Sequence, residues 1–218
     1  MRVLLFGGTG MVGQGVLNEC LAAADVTEVV AIVWSPLVRI PALKLIEVQH
    51  PDFFNWTDVD LHGFDACFFT LGVSSLGMSE ADYRHVTLDL TMTLAQSLVK
   101  DSPQAVFVYV SGAGTNPQGR QMWARVKGAT ENALMALPFR AAYCFRPGYI
   151  QPLHGVRSKI GWYNAFYTAL SWTYPLLHRL VPSATTSTRA VGRAMLQVAR
   201  NGWPQKVLDT RDINAAAQ

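Results

Sequence analysis

Charged side chains are scarce in this sequence of 218 residues. Asp, Glu, Lys and Arg make up 15% of it, whereas hydrophobic residues make up 50%. Globular domains average about a quarter charged residues, so the composition excludes a disordered chain and predicts one domain, residues 1–218, with a large core. The net charge of +3 is small and the basic residues are dispersed, so we expect no nucleic-acid partner.

Cysteine is scarce as well. Cys20, Cys67 and Cys144 form no Cys-x-x-Cys pair, so we expect neither a disulfide framework nor a zinc site. The five histidines show no spacing typical of metal ligands, and no metal is expected. Glycines interrupt the first apolar run before it reaches the length of a secretory signal. These observations together predict a reducing, cytoplasmic location.

Apolar runs alternate with helical patterns along the chain. Strands are predicted at residues 3–6, 28–33, 43–48, 66–71, 105–110 and 141–145, and residues 207–208 suggest a short final one. Helices are predicted at residues 11–24, 79–100, 121–137 and 187–200. Strands that are apolar throughout indicate a parallel sheet covered on both faces. The predicted fold class is therefore α/β, a doubly wound (Rossmann) parallel sheet with helices on both faces.

A long uncharged segment follows the sixth predicted strand. Residues 160–177 contain no Asp, Glu, Lys or Arg and are rich in aromatic residues. The segment reaches the length of a membrane span, but polar residues and Pro175 interrupt it, so no transmembrane span is expected. We predict a small C-terminal helical region at residues 151–186, which forms a lid or substrate-side elaboration. A homodimer face and a peripheral membrane contact stay open, and we expect a monomer or a homodimer.

A glycine loop follows the first predicted strand. Gly7, Gly10 and Gly13 form Gly-x-x-Gly-x-x-Gly between that strand and a helix. The first glycine permits a tight turn, the second lets the backbone approach a pyrophosphate, and the third brings helix and strand together. The helix N-terminus offers free N–H groups to the anion. The pattern predicts dinucleotide contacts from Gly7, Thr9, Gly10, Met11, Val12 and Gly13.

This spacing resembles that of the short-chain dehydrogenases/reductases, and further motifs follow the order of that family. Ser111 stands where the family has its active-site serine, and Lys127 stands where it has its lysine. Residues 127–134 and 145–155 look like NAD-dependent epimerase/dehydratase-like proteins, which are similar to the Tat-interacting-protein branch of atypical members. The resemblance implies further cofactor contacts at Asp52, Phe53, Leu71, Gly72, Lys127, Pro147, Gly148 and Ile150.

One residue of the family's catalytic pattern is missing. The pair is Tyr-x-x-x-Lys, but here Trp123 precedes Lys127. A phenol can exchange a proton, whereas an indole N–H only donates a hydrogen bond. We therefore expect Ser111 to hydrogen-bond a carbonyl oxygen and Lys127 to hold the nicotinamide ribose. Tyr149, a water or another residue of the cleft would supply the proton.

A carboxylate is missing directly after the second predicted strand. NAD sites usually place Asp or Glu there to bind the ribose 2′-hydroxyl, whereas NADP sites use a basic residue for the 2′-phosphate. Ser35 and Arg39 follow the strand instead, and both side chains can bind a phosphate. We therefore expect NADP(H) in preference to NAD(H).

Two classes of function fit the sequence. The first is an NAD(P)-dependent oxidoreductase or epimerase that acts on a small carbonyl or sugar-like substrate. The second is a non-catalytic NADP(H)-binding sensor or interaction protein, which the tryptophan at position 123 favours. The resemblance also implies it, because the mammalian branch has been discussed as regulators as much as enzymes. No motif identifies the substrate.

Overall fold

The structure is a computed structural model that describes residues 1–37, 42–153 and 184–218. Within these ranges the strands are β1 (Arg2–Phe6), β2 (Glu28–Val33), β3 (Leu45–Gln49), β4 (Ala66–Phe69), β5 (Val106–Val110), β6 (Ala141–Arg146), β7 (Tyr149–Gln151), β8 (Thr185–Ser187) and β9 (Val207–Asp209). The helices are α1 (Met11–Ala22), α2 (Glu80–Arg84), α3 (Leu90–Asp101), α4 (Met122–Met135), α5 (Thr188–Asn201) and α6 (Thr210–Ala216). A π-helical segment, His85–Asp89, joins α2 to α3.

Seven of the described strands form one parallel sheet in the order β3-β2-β1-β4-β5-β6-β9. The short strands β7 and β8 pair in parallel as a second sheet. Because β1 lies between β2 and β4, the chain reverses direction across the sheet beside β1. In open parallel sheets such a reversal opens a crevice at the carboxyl ends of the strands, where ligands bind. The predicted doubly wound α/β fold is confirmed.

The central strand β1 is buried on both faces of the sheet, because its side chains alternate between two cores. Val3 and Leu5 pack with residues of α1, α5 and α6 on one face. Leu4 and Phe6 pack with residues of α3 and α4 on the other face. A strand covered on both sides is apolar throughout, which explains why the short apolar run that ends in glycine predicted it.

The helix predicted at residues 79–100 is observed as α2, the π-helical segment and α3 in succession. Its N-cap is Ser79, whose Oγ accepts the Asp82 N–H at 3.1 Å. The continuous helix that the pattern predicted is interrupted by the π-helical segment, where the Thr91 hydroxyl donates to the Thr87 carbonyl at 2.6 Å. A π-helical turn keeps the chain helical, so apolar periodicity does not reveal it.

The predicted helical region at residues 151–186 lies mostly outside the described residues, as does the uncharged segment at 160–177. Its described ends are extended: Gln151 closes β7, and Thr185 and Thr186 begin β8. The sequence predicted neither this pair of strands nor α6. Among the described helices, none combines the length and the hydropathy needed to cross a membrane.

Candidate cofactor and catalytic site

The glycine loop connects β1 to α1 at the point where the sheet reverses. Gly7 has a φ of 81°, a backbone conformation that residues with a side chain seldom adopt. The Gly10 N–H donates to the Gly7 carbonyl at 2.8 Å and closes the turn. A Cβ on Gly13 would overlap the Gly7 carbonyl oxygen and lie 2.7 Å from Thr70 Oγ1. The loop therefore keeps its shape only without side chains at Gly7 and Gly13.

The N-terminus of α1 is open toward the crevice. Gly10 is its N-cap and supplies no side chain to bond the free N–H groups, and no acidic residue occupies the first turn. Thr9, Gly10, Met11 and Val12 are half-buried, so their backbone stays accessible. Unsatisfied N–H groups and the positive end of the helix dipole together attract a phosphate.

The adenosine contacts predicted after β3 and β4 divide into buried and open positions. The Phe53 side chain is buried against Phe6 and Trp56, so it belongs to the core and only its backbone could meet a ligand. The Asp52 carboxylate accepts the Phe54 N–H at 2.8 Å and is exposed. After β4, a Cβ on the exposed Gly72 would meet no atom within 4 Å, and Leu71 is half-buried.

The loop after β2 contains a feature that the sequence analysis missed. Trp34 is 56% exposed and Ser35 is exposed, whereas Arg39 lies outside the described residues. The Leu37 N–H donates to both carboxylate oxygens of Glu47, at 3.2 and 3.3 Å. A carboxylate therefore does stand beside this loop, but it comes from the neighbouring strand β3. The available signal was a charged residue inside the apolar run at 43–48.

Ser111 and Lys127 meet at the carboxyl end of β5. Ser111 directly follows β5, and its N–H donates to the Phe145 carbonyl of β6 at 2.7 Å. Lys127 extends from α4, and its Nζ donates to the carbonyls of Ser111 at 3.0 Å and Val110 at 3.4 Å. The ammonium also lies 5.6 Å from the centre of the Tyr109 ring. The structure thus brings together two of the three predicted catalytic residues.

Burial controls the charge of Lys127. Removal from water lowers the pKa of its ammonium to about 8, and the nearby Glu131 carboxylate opposes that shift. Glu131 is one turn further along α4, its side chain is 1% exposed, and it forms a two-bond ion pair with Arg146 at the end of β6. One buried carboxylate therefore supports two cations at the catalytic corner, which we define as Ser111, Thr115, Lys127, Glu131 and Arg146.

The hydroxyl proton of Ser111 has a defined direction. Ser111 Oγ and Thr115 Oγ1 are 2.9 Å apart, and Thr115 Oγ1 donates to the Gly112 carbonyl at 2.8 Å. Because a hydroxyl has only one proton to donate, Ser111 must be the donor to Thr115. Ser111 then presents lone pairs to its surroundings, and it must first release Thr115 before it can donate to a carbonyl oxygen.

Trp123 occupies the position of the family's tyrosine, one turn before Lys127 on α4. A Cβ on Gly114 would lie 3.4 Å from the end of the indole ring, so Trp123 packs over the loop that follows β5. Its other neighbours are the apolar cluster of Tyr83, Leu88 and Val126. An aromatic surface without an exchangeable phenol proton therefore lies one helical turn before Lys127 and over Gly114.

The segment after β6 is tightly bound to its surroundings. The Pro147 carbonyl accepts the Ala113 N–H at 3.0 Å, and the Gly148 N–H donates to Thr210 Oγ1 at 2.9 Å. Ile150 is buried. Burial raises the pKa of the Tyr149 hydroxyl, which makes its proton harder to remove. The role of Tyr149 as a proton donor stays a prediction.

Comparisons with solved structures place the fold among the short-chain dehydrogenases/reductases. A member from Saccharomyces cerevisiae superposes with a TM-score of 0.66 at 15% identity, covering 99% of this chain and 98% of that one. A member from Francisella tularensis has a TM-score of 0.65 at 13% identity, covering 92% and 91%. The Bordetella bronchiseptica enzyme WbmH in complex with NAD+ has a TM-score of 0.65 at 16% identity, covering 92% and 72%. The chain therefore has the short-chain dehydrogenase/reductase fold.

Sequence comparisons find fungal relatives whose name, FMP52, does not identify the Tat-interacting-protein branch. "Protein FMP52, mitochondrial" of Saccharomyces cerevisiae is 28% identical over 161 residues, 72% of this chain and 68% of that protein. Its Emericella nidulans counterpart is 28% identical over 157 residues, covering 68% and 66%. The chain thus spans about two thirds of the length of these relatives. No family model matches.

The names of these relatives correct one expectation. They describe mitochondrial proteins, so the predicted cytoplasmic location is wrong. That prediction used scarce cysteine and an interrupted first apolar run. Both observations concern disulfides and secretion, and neither distinguishes one reducing compartment from another.

Proposed function

We propose that the protein binds a nicotinamide dinucleotide across the carboxyl ends of the strands and acts as an oxidoreductase or epimerase on a small carbonyl or sugar-like substrate. One observation supports this proposal most directly. The glycine loop, the open N-terminus of α1 and the Ser111–Lys127 pair all lie at the carboxyl ends of the parallel strands. The fold match to WbmH, whose structure contains NAD+, supports this choice. The cofactor would supply the hydride chemistry.

Lys127 is the residue to which we assign proton transfer. Two of its N–H groups donate to main-chain carbonyls, and an ammonium has three donors. Loss of the third proton leaves both of these hydrogen bonds intact and turns one lone pair outward. A pKa of about 8 lies close to neutral pH, where proton exchange is most effective. Lys127 would therefore take over the task of the absent tyrosine.

Ser111 would position the reacting oxygen. With its own proton donated to Thr115, it can accept a hydrogen bond from a substrate hydroxyl. This favours binding of an alcohol before its oxidation. For carbonyl reduction, the Ser111 proton would have to turn away from Thr115 toward the substrate.

A second candidate function is a cofactor-binding sensor without turnover. The observation that favours it is Trp123, which packs over Gly114. Trp123 stands at the position where the resembled family has its proton-donating tyrosine. Under this alternative Lys127 would bind the cofactor ribose and transfer no proton. Nucleotide binding would then be retained while every carbonyl and alcohol substrate remained unreacted.

The first experiment is calorimetric titration of the cofactor-free protein with NADH and NADPH. We expect binding of at least one of them in the micromolar range or tighter, and weaker binding by Lys127→Met. A panel of small aldehydes, ketones and sugar alcohols then tests turnover. Lys127→Arg is the matched variant, because it keeps the positive charge and cannot be deprotonated at accessible pH.

The outcomes separate the two functions. Turnover that rises with pH near 8 in the oxidation direction, and that is lost in Lys127→Arg while cofactor affinity persists, supports proton transfer by Lys127. Binding without turnover across the panel supports the sensor. Failure of the protein to bind either cofactor would refute both.

A further inference from the structure

The loop between β2 and β3 brings an acidic group to the edge of the predicted nucleotide site. Leu37 links the two features, since one of its methyl groups lies 3.4 Å from the position that a Cβ on Gly8 would take. Its backbone N–H donates to the Glu47 carboxylate at 3.2 and 3.3 Å. Leu37 therefore contacts both the Glu47 carboxylate and the glycine loop.

The register of the sheet explains how β3 can supply this carboxylate. Glu47 is paired with Ala31, and each residue lies two positions before the carboxyl end of its strand. The side chain shares the sheet face of Leu45, which packs with the α1-side core, because residues two apart on a strand point the same way. It therefore lies on the face that also carries the glycine loop and α1.

The usual acidic position is occupied by an uncharged residue. Trp34 directly follows β2, where NAD-binding proteins place Asp or Glu, and its indole ring lies over Phe53 with ring centres 4.1 Å apart. Glu47 is exposed, and among the described residues the Leu37 N–H is its hydrogen-bond donor, whereas a carboxylate has about four acceptor sites. It can accept hydrogen bonds from a ribose diol and would repel a phosphate at the same place.

We propose that Glu47 reads the adenosine ribose and selects NAD(H) over NADP(H). This proposal rests on the proposed dinucleotide function and refines its cofactor class. It reverses the expectation of NADP(H), which used the lack of a carboxylate in the residues that directly follow β2. The neighbouring strand supplies that carboxylate.

The test is a set of calorimetric titrations with NADH, NADPH, 5′-AMP and 2′,5′-ADP. The variants are Glu47→Gln, which removes the charge, and Glu47→Lys, which reverses it. Glu28→Gln is the matched control, because Glu28 pairs with Arg2 at the opposite end of β2. Glu47 is exposed and Glu28 is partly exposed, so the three variants should fold, and circular dichroism checks this.

We expect the unmodified protein to bind NADH at least about tenfold more tightly than NADPH, the scale of one hydrogen bond to a charged group. Glu47→Gln should reduce this ratio about tenfold, Glu47→Lys should favour NADPH and 2′,5′-ADP, and Glu28→Gln should keep the ratio. A preference of the unmodified protein for NADPH would overturn the proposal, as would equal ratios in Glu47→Gln and Glu28→Gln. Failure to bind any of the four nucleotides would instead refute the dinucleotide function itself.

Discussion

The glycine loop and the catalytic corner are built on opposite principles. The loop depends on missing side chains, because Gly7 and Gly13 leave room for the backbone of β1 and α1 to touch. The corner depends on side chains that hold one another through charge and hydrogen bonds, centred on Lys127 and Glu131. The loop can therefore change little without losing its shape. The corner keeps its ion pair between Glu131 and Arg146, although Trp123 stands where the short-chain dehydrogenases/reductases that the sequence resembles have a tyrosine.

The largest effect is expected from a side chain in the loop. Gly13→Ala places a Cβ against the Gly7 carbonyl, so α1 must move away from β1. We expect the free energy of unfolding to fall by about 3 kcal/mol or more, with loss of cofactor binding. Urea denaturation measures it, and Gly72→Ala is the control because its Cβ would meet nothing within 4 Å. Equal stability of both variants would contradict the steric account of the loop.

The next effect separates the buried ion pair of the corner from an exposed pair. Glu131→Gln removes the carboxylate charge that pairs with the Arg146 guanidinium, at a side chain that is 1% exposed. Breaking a buried pair costs about 3 kcal/mol, whereas breaking a solvent-exposed pair has little effect on stability. Glu80→Gln, which breaks the exposed pair with Arg125, is the control. Similar unfolding midpoints for the two variants in urea would mean that Glu131 is better solvated than the structure indicates.

Most of the fold could be predicted from the sequence because of burial. Strands such as β1 and β5 are covered on both faces, so their residues form short continuous apolar runs that stand out between helical patterns. The β7–β8 pair could not be found in this way. It joins residues more than thirty positions apart through three-residue strands, and such short segments carry no period. The π-helical segment at 85–89 was missed for a different reason, because it keeps the helical pattern of its neighbours.

The glycine loop and the catalytic corner also differ in how far the sequence could predict them. The glycine loop could be predicted because steric exclusion leaves a spacing that can be read directly. Ser111 and Lys127 were found through a resemblance, since nothing in their local sequence marks them. Glu47 was missed because its relation to the loop after β2 exists only through pairing of β2 with β3. The bond between Ser111 and Thr115 likewise needs side-chain geometry.

The charge of Lys127 predicts a smaller effect, visible as a dependence of stability on pH. Its pKa is lowered from 10.5 to about 8 on folding, so between these values the unfolded chain binds more protons. Stability must then rise with pH across this window and show the full cost of burial below pH 8. From pH 7 to pH 10 we expect the unfolding free energy to rise about 2 kcal/mol more in the unmodified protein than in Lys127→Met.

The measurement is urea denaturation of both proteins at several pH values between 7 and 10. Subtraction of the Lys127→Met curve removes the contribution of other groups that titrate in this range. Parallel curves would show that Lys127 is solvated, and would remove the basis for its assignment in proton transfer.

The smallest expected effect tests whether the Ser111 and Thr115 hydroxyls are hydrogen-bonded. Thr115→Val removes one hydroxyl, but the Gly112 carbonyl still accepts the residue 115 N–H at 3.2 Å, so no buried acceptor is left alone. A double-mutant cycle with Ser111→Ala, measured by urea denaturation, should give a coupling of about 1 kcal/mol, the net value of one buried hydrogen bond. Additive effects would show that the two hydroxyls are not bonded in solution. The Ser111 proton would then be free for a carbonyl substrate, and the corner would favour reduction instead of alcohol oxidation.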